Sequence, residues 1–239
     1  MTKHGKKYRD AAEKVDENKE YPAGEAIALL KEIASANFDE TVELHIRTGL
    51  DTRHADQQLR GTIVLPNGLG KSQHVLVFAE GEAARLAEEA DADEVGGDAL
   101  VKKVADGYLG FDVALATKDM MGKVGKLGRV LGPRGLMPNP RTNTVVNGED
   151  LPRAIKDAKQ GRVEFRTDRT SLVHVSVGKI SFSEEALGEN LASLLDAIRR
   201  EKPAGSKGHY IRTLTLTTTM SPGIRMDPGA VGATAAADN

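Results

Sequence analysis

The chain contains no cysteine among its 239 residues. This absence excludes a disulfide framework, a thiolate zinc site and a cysteine nucleophile. Such a composition suits a reducing compartment, and we expect the protein to act in the cytoplasm. This length corresponds to one large domain or two smaller ones. Such a chain buries a core of ordinary size and needs no disulfide or metal to stabilise its fold.

Long apolar runs are also missing. No segment approaches the roughly 18 consecutive apolar residues that a membrane-spanning helix requires. Residues 1–16 are charged and have no apolar centre, which is not the pattern of a secretory signal. We therefore expect no membrane partner.

The chain also lacks an excess of positive charge, because 33 Lys and Arg stand against 35 Asp and Glu, for a net charge of −2. Taken alone, this total disfavours nucleic-acid binding. Local windows differ sharply, however: Glu80 to Asp98 carries −7, Lys118 to Arg141 carries +5, and both Lys3 to Arg9 and Arg199 to Arg212 carry +4. The near-zero total is therefore a cancellation between opposed patches.

The middle of the chain has an α/β pattern. Residues 73–79 and 111–116 are nearly continuous apolar runs, typical of strands that are buried on both faces. Residues 81–92 and 98–107 have helical patterns, with Asp98 as the expected N-cap. A third helix over 118–130 is weakened by its glycines. Strands alternating with helices predict a parallel sheet in a three-layer, Rossmann-like domain.

The flanking segments have a different pattern, because their strands alternate polar and apolar residues, as half-buried antiparallel strands do. The expected strands are 41–47, 162–166, 172–177 and 210–218, with a hairpin loop at 167–171 and helices at 22–36 and 183–200. We therefore predict an α/β protein of two domains. A discontinuous terminal α+β sandwich, split βαβ-like, would comprise residues 1–67 and 159–239 and carry an inserted domain at 68–158. Residues 229–239, rich in Ala and Gly, are expected to form a disordered tail.

Motifs for catalysis are incomplete. Gly68-Leu-Gly-Lys-Ser72 resembles the end of a phosphate-binding loop, but Leu65 stands where that loop needs glycine and a strand follows it. The glycines of residues 122–128 lack the dinucleotide-binding spacing. The six histidines form no metal-ligand pair. An α/β enzyme acting on a phosphorylated small molecule thus remains an alternative without a catalytic set, and we expect no cofactor, no metal and no enzymatic activity.

Two stretches have the residue types of an RNA contact. Residues 125–141 combine proline and glycine with Lys126, Arg129, Arg134 and Arg141, which suits a shaped loop presented to a polyanion as well as a solvated surface loop. Residues 217–225 begin with three threonines and Met220, where a strand ends. Hydroxyls and free N–H groups there are able to approach ribose and phosphate closely, although a plain strand-end turn has the same pattern.

Residues 126–140, Lys-Leu-Gly-Arg-Val-Leu-Gly-Pro-Arg-Gly-Leu-Met-Pro-Asn-Pro, resemble the signature of the bacterial ribosomal protein L-one family. Blocks at residues 3–9, 38–43, 60–66, 161–166 and 217–220 are similar to the family as well, so the resemblance covers nearly the whole chain. It implies a protein of the large ribosomal subunit that binds 23S rRNA in the mobile stalk near the exit-site tRNA. It also implies repression of the protein's own operon mRNA. We expect a monomer when the protein is free.

The resemblance also implies an RNA face on the terminal domain. Its matching positions are Phe38, Thr41, Glu43, Arg166, Asp168, Arg169, Thr217, Thr219, Met220 and Ser221. Guanidinium groups would contact phosphates, and hydroxyls would pair with 2′-OH groups. The basic residues Lys126, Arg129, Arg134 and Arg141 are candidates for a second RNA contact or for an interdomain contact.

Three positions depart from the family pattern. Ser221 stands where glycine is common, so that a side chain either crowds the RNA or adds a donor. Asn37 replaces a common basic residue and removes one charge contact. Ser171 occupies a hairpin position where glycine is frequent.

Overall fold

A computed structural model describes residues 4–206 and 208–229, together with the backbone but not the side chain of Arg141. The predicted tail beyond residue 229 lies outside the described residues. By their internal contacts the residues divide into two compact units. The first unit contains the residues up to Gly70 and those from Val163 onward, and the second runs from Lys71 to Arg162.

Helices and strands of the described residues fall into three groups along the chain. The N-terminal elements are α1 (Lys6–Glu13), α2 (Ala23–Ile33), β1 (Thr41–Thr48) and β2 (Arg60–Val64). The middle elements are β3 (Val75–Phe78), α3 (Glu82–Glu89), β4 (Glu94–Gly96), α4 (Asp98–Ala105), β5 (Val113–Thr117), α5 (Met121–Val124), α6 (Gly128–Leu131), β6 (Val145–Val146) and α7 (Leu151–Lys159). The C-terminal elements are β7 (Arg162–Arg166), β8 (Leu172–Lys179), α8 (Glu184–Arg200), β9 (Ile211–Thr218) and β10 (Ile224–Met226).

The first unit is built on a four-stranded antiparallel sheet in the order β10-β9-β1-β8. Alternate residues such as Leu44 on β1, Val175 on β8 and Leu216 on β9 are buried, so one face of the sheet belongs to the core. That core also takes the apolar stripes of α2 and α8, including Leu30 and Leu194. The expected alternation is therefore confirmed, and it leaves the other sheet face open.

A second, two-stranded sheet joins β2 to β7 in the same unit. The predicted hairpin between β7 and β8 is wrong, because these strands enter different sheets and meet at the isolated bridge between Thr167 and Val173. Phe165 on β7 is fully buried beside Gly61 on β2. Its ring takes the place that a side chain at position 61 would need, which holds the two strands close.

The second unit has the parallel, three-layer arrangement that the sequence predicts. Its sheet has the order β4-β3-β5-β6 with parallel pairing throughout. One face packs against α4 and the short helices α5 and α6, through residues such as Val104 and Leu131. The other face packs against α3 and α7, through Ala87 and Ile155. This confirms the mixed α/β fold class.

The unit boundaries lie a few residues beyond the predicted ones, at Gly70 and Arg162 in place of residues 67 and 158. Asn190 Nδ2 on α8 donates to the Gly68 carbonyl oxygen at 3.0 Å, which ties that segment to the first unit. At the second crossing α7 continues to Lys159, whose ammonium pairs with Asp91 Oδ2 at 2.8 Å inside the second unit.

Candidate nucleic-acid interface

The open face of the four-stranded sheet displays the polar residues that alternate with the core. On β1 these are Thr41, Glu43, His45 and Arg47. Strand pairing sets Glu43 beside Thr217 of β9 and Ser176 of β8. One step of two residues along β1, His45 lies between Thr215 and His174. The open face therefore carries hydroxyls, carboxylate, imidazole and guanidinium in cross-strand rows, where neighbouring side chains are about 5 Å apart.

Two large apolar side chains stand exposed where β1 begins and β9 ends. Phe38 is 55% exposed and Met220 is 59% exposed, against full burial of the core apolar residues around them. Thr41 N donates to Thr219 Oγ1 at 3.2 Å, which joins the two segments directly. Lys179 Nζ on β8 donates to Thr41 Oγ1 at 2.9 Å and adds a cation. An aromatic ring, a thioether, hydroxyls and an ammonium thus meet at one edge.

Glu40 holds these two segments together from beneath. Its side chain is only 1% exposed. Glu40 Oε2 accepts from Thr218 Oγ1 at 2.5 Å and from Met220 N at 2.9 Å, while Oε1 accepts from Ala36 N at 3.0 Å. Burial alone raises the pKa of Glu40, but the Thr218 hydroxyl and the backbone N–H groups outweigh it, so the pKa lies below its usual value. Glu40 was not predicted as a site residue, since an acid beside a strand gives no sign of its burial.

Ser221 stabilises the turn that follows Met220. Thr218 N donates to Ser221 Oγ at 2.9 Å, and Ser221 Oγ donates to the Pro222 carbonyl oxygen at 3.1 Å. The Thr217 hydroxyl donates to the Ser221 carbonyl oxygen at 3.2 Å. The hydroxyl at position 221 is thus engaged with the turn, which fixes the backbone behind Met220.

The remaining residues of the expected face lie at the other end of the sheet. Thr41 pairs with Lys179, whereas Arg47 pairs with Leu172, which follows the turn of residues 167–171. Six residues of β1 separate these pairs, about 20 Å at the rise of an antiparallel strand. Arg166, Asp168 and Arg169 are exposed near this far end. The structure therefore brings Phe38, Thr41, Thr217, Thr219, Met220 and Ser221 together, with Glu43 one row away, and leaves the arginines apart from them.

Asp168 organises the turn that carries Arg169. Its carboxylate accepts from the Thr170 hydroxyl at 2.7 Å and from Thr170 N and Leu172 N, both at 2.8 Å. The Thr170 hydroxyl and then the Leu172 N–H hold the pKa of Asp168 below its usual value, although burial opposes them. Ser171 adopts a left-handed conformation with φ of 64°, and its hydroxyl donates to the Leu50 carbonyl oxygen at 2.7 Å. That bond holds a conformation for which glycine is otherwise preferred.

Two arginines of the open face were missed from the sequence. Arg47 on β1 and Arg225 on β10 are exposed, and neither forms an ion pair within the described part of the chain. Arg225 pairs with Thr215, next to His45. The signal was present in the alternation itself, because Arg47 is four residues after Glu43 and therefore lies on the same face.

The basic residues of the second unit occupy a short helical segment and the loop after it. Lys126, Arg129 and Arg134 are exposed and form no ion pair with any described residue, while the side chain of Arg141 is not described. Leu136 and Met137 pack against the core that contains Leu127 and Leu131. The loop is therefore shaped and anchored, as one of the two sequence interpretations required.

The segment that resembles the end of a phosphate loop, residues 68–72, contains two glycines with a structural role. Gly68 and Gly70 have φ of 65° and 68°, and a Cβ at Gly70 would lie 2.8 Å from the Phe182 ring. Among residues 4–206 and 208–229 no group of three or more His, Asp or Glu side chains is placed to hold a metal ion. None of the described helices combines the length and the apolar character needed to cross a membrane.

Comparison with known proteins shows the family of the chain. The model of the family described as "Ribosomal protein L1p/L10e family" matches residues 30–222. The chain is 55% identical over 233 residues to the "Large ribosomal subunit protein uL1" of Dehalococcoides mccartyi, covering 98% of each chain. It is 54% identical over 232 residues to the protein of that name from Chloroflexus aggregans, covering 97% of this chain and 98% of the relative. The chain therefore belongs to the ribosomal protein L1p/L10e family.

Proposed function

We propose that this protein binds 23S rRNA directly, as a structural constituent of the large ribosomal subunit in the cytoplasm. The observation that carries the proposal is the edge at which Phe38 and Met220 stand exposed beside Thr41 and Thr219, fixed by the buried Glu40. Exposed apolar groups flanked by hydroxyls suit the sugar and base surfaces of folded RNA, and hydroxyls that pair with 2′-OH groups favour RNA over DNA.

The enzymatic alternative is not retained. Membership of a family of ribosomal proteins makes the chain a structural protein and not an enzyme. The glycines at positions 68 and 70, on which that alternative depended, accommodate chain turns and the Phe182 ring.

Roles in the release of exit-site tRNA and in translational repression would depend on the same RNA recognition. The rRNA-bound protein would form part of the mobile stalk near the exit site and take part in the release of exit-site tRNA, with Lys126, Arg129 and Arg134 as cations for a second contact. A structure in its own operon mRNA that resembles the rRNA site would occupy the same face, so that free protein, a monomer, represses translation. Competition between the two RNAs for one surface is the physical basis of that regulation.

The test is chemical footprinting of the purified protein on its 23S rRNA stalk segment and on its operon mRNA, with affinities measured over a range of salt concentrations. We expect Met220→Ala to weaken binding about tenfold with an unchanged salt slope, since burying an uncharged methionine side chain contributes about 1.5–3 kcal/mol. Arg166→Ala and Arg169→Ala should each lower the slope by about one.

Val64→Ala is the matched control, because Val64 is 37% exposed but lies on β2, outside the four-stranded sheet. Its affinity should equal that of the wild type. An unchanged affinity in Met220→Ala would show that the proposed face is wrong, and equal protection of unrelated RNA would remove the claim of specific binding.

A further inference from the structure

A cavity of about 320 Å³ adjoins the proposed RNA face. Its walls come from α1 and the segment before it, through His4, Tyr8 and Arg9, and from Pro222 and Gly223. Pro222 directly follows the turn fixed by Ser221 Oγ, which donates to the Pro222 carbonyl oxygen at 3.1 Å. The cavity therefore borders the segment that exposes Met220. The aromatic and cationic groups of the cavity come from α1 and from the residue His4 before it.

Two aromatic rings of the cavity wall lie one over the other. The His4 and Tyr8 rings are stacked, with centroids 4.3 Å apart and planes inclined by 22°. Arg9 is exposed on the next position of α1, and Glu17 supplies a carboxylate to the lining. Stacked rings beside a guanidinium are the elements with which proteins hold an unstacked base and its phosphate. A carboxylate accepts hydrogen bonds from a base amino group or a 2′-OH.

The docking of α1 on the first unit supports a preformed site. Ala11 and Val15 are buried in the core of the first unit. Lys7 Nζ donates to the Ser35 carbonyl oxygen at 3.2 Å, and Lys14 Nζ lies 2.7 Å from Glu32 Oε1. These contacts join α1 and the residue after it to α2 and the segment that follows α2. The Tyr8 ring and Arg9 are therefore presented from a helix that packs on the first unit.

We propose that this cavity binds one nucleotide of the bound RNA, with its base flipped out against the His4–Tyr8 stack and its phosphate at Arg9. The proposal rests on the RNA binding proposed above and adds a separate contact to it. It commits to a nucleotide within RNA, because a single stacked base and one ion pair give a free mononucleotide little affinity once its translational freedom is lost.

The test uses the full chain with the 23S rRNA stalk segment and three variants. Tyr8→Leu removes the stacking surface while keeping an apolar side chain, and Arg9→Gln removes the phosphate contact. Lys6→Gln is the matched control, because it removes one positive charge from the same helix at a residue that does not line the cavity. Thermal melting of each variant confirms that α1 remains docked.

We expect Tyr8→Leu and Arg9→Gln to weaken RNA binding about tenfold and fivefold, and Lys6→Gln less than twofold. In footprints of the Tyr8→Leu complex a single nucleotide should regain reactivity toward base-specific reagents while the other protections persist. Equal losses in Arg9→Gln and Lys6→Gln, with an unaltered footprint, would overturn the site.

The outcomes separate this site from the proposed function. Wild-type protein that fails to protect the stalk segment refutes the RNA binding itself, whereas wild-type protection with no effect of Tyr8→Leu refutes only the cavity. Titration with adenosine and uridine monophosphates distinguishes the source of the nucleotide. Submillimolar binding of either, abolished in Tyr8→Leu while RNA affinity stays the same, would reassign the cavity to free nucleotides.

Discussion

At the scale of the residue, one buried carboxylate determines the shape of the proposed RNA face. Glu40 accepts hydrogen bonds from Thr218, Met220 and Ala36, and so it fixes two segments that are distant in sequence. Its neighbours Thr41 and Glu43 were predicted from the sequence, but Glu40 was not. A buried side chain that joins two segments of a site is recognised only when the positions of those segments in the fold are known.

Glu40→Gln should lower the free energy of unfolding by about 2 kcal/mol. A hydrogen bond to a buried charged group contributes about 1.5–3 kcal/mol, and the amide replaces one acceptor oxygen by a donor that faces other donors. Chemical denaturation measures the change. Glu43→Gln is the control, since its side chain is 41% exposed, and it should change stability by less than about 0.5 kcal/mol. Equal effects of the two variants would contradict the role of Glu40 in holding the two segments together.

At the scale of the element, the pairing of β1 with β8 brings two histidines of the open sheet face into contact. His45 on β1 and His174 on β8 have their Nδ1 atoms 2.7 Å apart, so one ring donates to the other. Burial, and then the charge of His174, lowers the pKa of His45, while Glu43 opposes this. Asp168 Oδ2 lies 3.9 Å from His174 Nε2. His45 pairs with Thr215 on β9, and Arg47 lies two residues further along β1.

The lowered pKa of His45 predicts a loss of stability in mild acid. Below its unfolded pKa of about 6.5, the unfolded chain binds a proton at His45 that the folded chain binds less readily, so unfolding is favoured as the pH falls. His45→Gln should flatten the decline in unfolding free energy between pH 7 and pH 5, by at most about 1.4 kcal/mol per pH unit. Denaturation at several pH values measures it, and identical slopes in the two proteins would disprove the effect.

The contact between β2 and β7 gives a second prediction for an element. A Cβ at Gly61 would lie 2.6 Å from Cζ of the buried Phe165 ring. Gly61→Ala should therefore destabilise the protein by about 1–3 kcal/mol through overpacking. Gly188→Ala in α8 meets nothing within 4 Å and should stabilise it by about 0.5–1 kcal/mol through helix propensity. Melting temperatures that move in the same direction would refute this account.

At the scale of the whole molecule, the net charge of −2 hides two different surfaces. The −7 region belongs to the second unit, where cations of that unit partly offset it: Lys123 pairs with Glu80 and Asp98, and Lys159 pairs with Asp91. The open sheet face of the first unit carries Arg47 and Arg225. The total is thus a poor guide to RNA binding, which depends on local surfaces.

Each unit has its own buried core, so damage to one core should remain in that unit. Leu44 and Leu115 are fully buried in the first and the second unit. Leu44→Ala and Leu115→Ala should each cost about 2–5 kcal/mol. Hydrogen exchange should accelerate only in the unit that carries the change, and RNA affinity should survive Leu115→Ala. Acceleration in both units from either variant would show that they unfold together.

Most of the architecture was predictable because burial periodicity is local. The alternation in β1, β8 and β9 and the apolar runs of β3 and β5 identified their strands and two kinds of sheet. Helix α7 was missed, although Leu151, Ala154, Ile155 and Ala158 have helical spacing. The false hairpin arose because nearness in sequence suggests pairing, whereas β7 finds its partner in β2.

The sequence by itself determined the alternating polar and apolar residues, the local charge patches and the motifs that mark the family. These properties are carried by neighbours along the chain. Only the tertiary structure decided that Glu40 lies beneath Met220, that Arg169 lies at the far end of the sheet from Phe38, and that α1 forms a cavity with Pro222. The physical reason is strand register and helix docking, which join residues more than a hundred positions apart and cannot be read from local periodicity.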